Sequence, residues 1–147
     1  MSDIVPLEPV DYLVIGHVAR DLTPQGPQLG GTVAYSALTA RALGMRVGIL
    51  TAAGSDVPLE ALDGIPIVSI ESKSSTTYEN TYTETGRVQY LRAQAARLEL
   101  DRVPAPWRSA PIIHLAPIAG EVDSVLPGGF SPTLLGFGLS TEVLIWT

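Results

Sequence analysis

Short apolar runs separated by polar, glycine-rich connections set the pattern of the first 56 residues. Tyr12-Leu13-Val14-Ile15 is wholly apolar and rich in β-branched residues, as expected of a strand covered on both faces in a parallel sheet. The next periodic segment predicts a helix over 32–43. Val33, Ala37 and Leu38 fall on one side and Arg41 on another, and Gly44 stands where a left-handed residue ends a helix. Small residues at Ala34, Ala37 and Ala40 let such a helix lie close to a sheet. Arg46 to Ala53 then returns as a second strand, giving a strand–helix–strand unit with a right-handed crossover. The class read from this pattern is α/β, with a mostly parallel sheet.

After Asp56 the texture changes. A short helical turn at Pro58-Leu59-Glu60-Ala61-Leu62 leads to the run Ile65 to Ile70, and the strands that follow alternate polar and aromatic residues. Thr76, Tyr78, Asn80 and Tyr82 lie on one face of an extended segment, and Val88 to Arg92 pairs back across a loop containing Gly86. This hairpin is too polar for a buried sheet, so one of its faces meets solvent or a ligand. Pro104-Ala105-Pro106 marks the exit, and Pro111 to Ala116 reads as a further buried strand rejoining the main sheet. The end is unusual, with no Lys or Arg after Arg108 and an apolar run up to Thr147. Residues 1–136 are therefore read as one domain with a β lid inserted at about 65–100. Residues 137–147 are read as an atypical tail, as of a chain that is truncated or read in another frame.

Composition narrows the partners. The chain has 147 residues, 46% of them hydrophobic, which suits one packed domain. A net charge of −6 without basic clusters argues against nucleic acid and anionic membrane. No cysteine is present, which excludes disulfides, thiolate metal sites and cysteine nucleophiles. Met1 to Asp11 has acids and prolines in place of a basic and then apolar leader, and no apolar run approaches the length of a membrane span, so the expected location is the cytoplasm. His17 and His114 have no metal-ligand spacing, and no metal site is expected. Gly136-Phe137-Gly138 lacks the third glycine of a dinucleotide fingerprint.

The order Gly16-His17-Val18-Ala19-Arg20-Asp21, then Gly30-Gly31 opening a small-residue helix to Gly44, then a strand ending Gly54-Ser55-Asp56, resembles the opening of a ribokinase-like (PfkB-type) carbohydrate kinase. The resemblance implies a partial ribokinase-like fold, with helices on the sheet and a small β lid. It also implies transfer of the terminal phosphoryl of ATP, with magnesium, to a sugar or polyol hydroxyl in a full-length member. Nothing in this chain resembles the Gly-Ala-Gly-Asp turn with which the family binds phosphate and deprotonates its substrate. The expectation is a substrate-binding N-terminal portion that binds neither ATP nor magnesium by itself and has no catalytic residue of its own. The alternative is a non-catalytic α/β module for sugar binding, regulation or dimerisation. Lids in this family can pair between subunits, so a homodimer through the lid sheet is a further expectation.

The resemblance assigns Asp21 to the sugar, because a carboxylate accepting two vicinal hydroxyls makes charge-assisted bonds. Without it, Asp21 reads only as the start of a loop. Gly30 and Gly31 would let backbone N–H groups at the helix start approach the ligand, although an ordinary tight turn needs the same residues. Tyr35 stands where ribokinase itself carries Asn, and a phenol can both hydrogen-bond a hydroxyl and stack on a ring. On the lid, Tyr90-x-Arg92 resembles the Tyr-x-Arg grip of some sugar-acid kinases, and Asn80 and Gln89 are further candidates. For Arg92 a solvated pairing with Glu79 is equally open.

Overall fold

A computed structural model describes residues 6–138 and 144–146 of the chain. Residues 139–143 and 147 of the expected atypical tail, and residues 1–5 at the amino end, lie outside the described residues. The elements are β1 (Tyr12–Ile15), β2 (Ala19–Thr23), β3 (Gly26–Gly30), α1 (Thr32–Ala42), β4 (Val47–Ala53), β5 (Ile67–Glu71), β6 (Thr76–Thr83), β7 (Gly86–Ala93), β8 (Ile112–Leu115), β9 (Leu134–Phe137) and β10 (Leu144–Trp146). Three 3-10 turns, Glu60–Leu62, Leu100–Arg102 and Ala105–Trp107, complete them.

Two five-stranded sheets result. The main sheet, in the order β5-β4-β1-β8-β9, is parallel throughout. Its strands alternate between two apolar layers, which is why they read as continuous apolar runs. Leu13 and Ile15 face a core with Leu50, Ile113, Leu115 and Trp107, roofed by the turns of residues 100–107. Val14 and Ile49 face α1, which buries Val33, Ala34, Ala37 and Ala40. The expected neighbours β1, β4 and β8 adjoin in parallel register, and Gly44 follows α1 with φ +87°.

The second sheet, β10-β7-β6-β2-β3, is mixed. It contains the expected hairpin as β6 and β7. Two features differ from the sequence reading. Residues 19–30, read as the link from first strand to helix, form a hairpin of their own. Asp21 therefore sits within β2, and the first strand ends at Ile15. Pro27 is compatible with β3 because β3 is an edge, where no ladder needs the missing N–H. In addition, β5 at 67–71 belongs to the main sheet, paired with β4, since Ile67 packs into one apolar layer and Val68 and Ile70 into the other.

Candidate functional site

The lid sheet meets the main sheet at a buried polar hinge. His17, fully buried, follows β1; its Nε2 donates to the Ala96 carbonyl at 2.7 Å, and its Nδ1 lies 2.7 Å from Thr76 Oγ1. Thr76 opens β6 and Ala96 follows β7, so one imidazole ties together the strand entering the lid and the strand leaving it. Glu121, 1% exposed, lies with Oε2 3.1 Å from His17 Nδ1. Its Oε1 accepts the N–H groups of Ile118 and Ala119 at 2.5 and 3.2 Å. The loop so held offers the Ile118 carbonyl to the Tyr78 hydroxyl. Nearby, Asp56 Oδ1 accepts the Ser75 hydroxyl at 2.6 Å, and this bond holds its carboxyl below its ordinary pKa. His114 Nδ1 lies 2.6 Å from the Tyr12 hydroxyl, and burial keeps this imidazole below its usual pKa.

Above the hinge a cleft of about 700 Å³ opens between the start of α1 and the lid. Its lid wall is a ladder of rungs fixed by strand register. Asp21 lies beside Tyr78, Asn80 opposite Gln89, and Tyr82 opposite Arg87, and all six side chains line the cleft. The facing wall is Gly31, Thr32, Tyr35 and Ser36, with Pro117 and Ile118 below. Asp21 is half-buried, and that burial raises its carboxyl pKa while the Arg87 charge opposes the rise. Tyr78 is pushed strongly up, first by burial and then by the Glu121 and Asp21 charges, so its phenol remains a hydrogen-bond donor. Asn80 Oδ1 is buried without a hydrogen-bond partner, an acceptor that a ligand donor reaching it would satisfy.

Both glycines have a steric reason. A Cβ at Gly30 would stand 2.0 Å from Asp21 Oδ2, so its absence makes room for the carboxylate. Gly31 has φ +93°, a conformation that side-chain-bearing residues avoid, and a Cβ there would stand 3.0 Å from the His17 carbonyl oxygen. Gly31 turns the chain from β3 into α1 with no side-chain cap, leaving the first helical N–H groups beside the cleft.

The structure thus brings Asp21, Gly31, Tyr35, Asn80 and Gln89 to one cleft, with Gly30 directly under Asp21. It does not bring Arg92 there. Arg92 lies three residues from Gln89 on β7 and so points to the other face, where Nε donates to Glu79 Oε2 at 2.9 Å and the guanidinium sits 4.7 Å from the Tyr90 ring centre. Sequence reasoning missed Arg87 as a lining residue. The signal was available, since Gln89 and Arg87 are two apart and share a face.

At the opposite end of the main sheet, an apolar hollow of about 480 Å³ between Pro6–Val10 and Met45–Val47 offers few polar groups. Among the described residues no group of three or more His, Asp or Glu is placed to hold a metal ion, and no helix is long and apolar enough to cross a membrane. Among the cleft-lining side chains, Arg87 is the one Lys or Arg. One guanidinium and no carboxylate cluster in the described lining of this cleft do not fit a magnesium–nucleotide complex.

No family model matches the sequence. A curated cytidine kinase from Thermococcus kodakarensis is 30% identical over 125 residues, covering 76% of this chain and 45% of that protein. Among solved structures, a pyrophosphate-dependent kinase of the ribokinase family in complex with sulfate superposes with a TM-score of 0.56 at 20% identity, over 75% of this chain and 42% of that one. The nucleoside kinase of Methanocaldococcus jannaschii, an archaeal member of the ribokinase family, gives 0.52 at 18%, over 74% and 45%. The structural likenesses establish the fold and the sequence match points to the same group. These likenesses together point to the ribokinase-like (PfkB-type) carbohydrate kinase family, and the chain spans less than half the length of these relatives.

Proposed function

We infer that the chain is the N-terminal, substrate-binding portion of an ATP-dependent kinase acting on a sugar or polyol hydroxyl, and that by itself it transfers no phosphoryl group. The observation that carries this reading is the placement of Asp21. Its carboxylate lies over a side-chain-free Gly30, in a cleft whose other wall is a helix start opened by Gly31. A carboxylate there can accept two neighbouring hydroxyls of a substrate, and the free helical N–H groups can donate to a third oxygen. Related proteins with the same fold include one solved with myo-inositol, a polyol, as well as the cytidine kinase described above.

The absence of turnover follows from the charge that phosphoryl transfer must stabilise. Such catalysis consists mainly of positioning the transferred group and surrounding it with positive charge and N–H donors. Arg87 is the lone cation lining this cleft, and it already interacts with Asp21. The expected second copy, paired through the lid sheet, would meet it at the β3 edge, the end of that sheet opposite β10. A coupled assay with ATP and magnesium over pentoses, hexoses, sugar acids, inositols and nucleosides tests the reading. Binding without turnover is the expected result. Turnover that Asp21→Ala abolishes, in protein freed of host kinases, would show the chain to be catalytically complete.

A further inference from the structure

The lid wall is longer than one sugar ring needs. Successive same-face residues of a strand lie about 6.7 Å apart, two residues at 3.3–3.4 Å each. The Asp21/Tyr78, Asn80/Gln89 and Tyr82/Arg87 rungs therefore extend about 13 Å from the hinge toward the lid tip. A sugar ring held by Asp21 reaches the next rung at most. Beyond it stand two carboxamides side by side, then a tyrosine. Carboxamides pair in plane with the donor and acceptor edge of a heterocyclic base. They are a poor match for an apolar aglycone, which would leave Asn80 Oδ1 buried and unpartnered.

The aromatic residues have the complementary property. Tyr35 and Tyr82 line the same cleft, yet they are 64% and 77% exposed. Neither ring is used to build the core, and each has a face available to a planar ligand. Stacking on a tyrosine suits a base; a polyol such as an inositol offers no flat π face.

We propose that the ligand of this cleft is a nucleoside. Asp21 takes its ribose hydroxyls, Asn80 and Gln89 take the edge of its base, and Tyr35 or Tyr82 takes the face. This rests on the reading of Asp21 as the hydroxyl acceptor and specifies what is attached to the sugar. It also places a new residue type in recognition, since the tyrosines touch the base and not the sugar.

Equilibrium binding to the 147-residue chain, by calorimetry or saturation-transfer NMR, separates the possibilities. The probes are cytidine, uridine, adenosine, guanosine, D-ribose and myo-inositol; the variants are Tyr35→Leu, Tyr82→Leu, their combination and Asp21→Asn. Both tyrosines are surface residues, and an unchanged unfolding midpoint confirms that each variant is folded. At least one nucleoside should bind ten times or more tighter than ribose and myo-inositol. Asp21→Asn should weaken nucleoside and ribose alike. The double tyrosine variant should lose on the order of tenfold to a hundredfold in nucleoside affinity, with ribose affinity unchanged. Ribose or myo-inositol binding as tightly as every nucleoside, or nucleoside binding indifferent to the double tyrosine substitution, overturns the nucleoside assignment and leaves the sugar site standing. Binding of nothing in the panel, or binding indifferent to Asp21→Asn, overturns the sugar site and the nucleoside with it.

Discussion

Replacing Glu121 by Ala should be among the most destabilising single changes outside the apolar core. The carboxylate is 1% exposed and lies 104 residues from His17 in sequence, yet it is the acceptor for two backbone N–H groups and sits 3.1 Å from His17 Nδ1. Alanine leaves the part-buried Ile118 and Ala119 N–H groups without this acceptor, each costing about 1 kcal/mol, and opens a space beside the imidazole. The total is about 3–5 kcal/mol, a large part of the 5–15 kcal/mol typical of a whole domain. Glu121→Gln keeps the volume and one acceptor oxygen, so its cost should stay near 1 kcal/mol. Urea titration followed by tryptophan fluorescence measures both, because Trp107 is fully buried in the main core. An alanine variant within 1 kcal/mol of wild type, or a glutamine variant as damaged as the alanine one, would refute the role given to the hinge.

Three further outcomes follow from the cleft. Gly30→Ala puts a Cβ where Asp21 Oδ2 now lies, so it should displace the carboxylate and reproduce the binding loss of Asp21→Ala in a chain that still folds; retained ligand affinity would contradict this. Burial raises the folded-state pKa of Asp21 above the unfolded value of about 3.9, so the unfolded chain releases this proton first and stability falls as pH rises through that interval. Asp21→Asn should accordingly be more stable than wild type at neutral pH and no more stable below the interval, as unfolding midpoints from about pH 3 to 7 would reveal. Arg92→Ala should leave ligand affinity unchanged and cost about 1 kcal/mol, since the contacts it removes include a solvent-exposed pair with Glu79 and a surface contact over the Tyr90 ring.

The main sheet was legible because burial on both faces leaves an unmistakable mark. Leu13 and Ile15 serve one core while Val14 serves the other, so no polar residue interrupts the run. The β6–β7 hairpin was legible from the alternation of Thr76, Tyr78, Asn80 and Tyr82. The β2–β3 hairpin was not, because Pro24 and Pro27 suggest a loop, whereas Pro24 sits in the tight turn and only the edge position of β3 makes Pro27 compatible with a strand. Arg92 shows a different limit. Its likeness to a family motif pointed to the ligand, but strand parity sets it on the face away from Gln89, and register decides where a side chain can reach. The union of His17, Thr76 and Glu121 had no signature at all, since three isolated polar residues acquire a common site only when both sheets are in place.

Where a ligand touches the chain decides most directly whether this cleft is the substrate site. Backbone amide shifts of labelled protein, recorded during titration with a nucleoside and with ribose, report this contact residue by residue. Perturbations should gather at Asp21, Gly31, Thr32, Asn80 and Gln89, on the two walls of the cleft, while Arg46 and Ile65 beside the apolar hollow stay unmoved. Shifts that gather at the hollow and leave the Asp21 and Gly31 amides unchanged would contradict the assignment of this cleft as the substrate site.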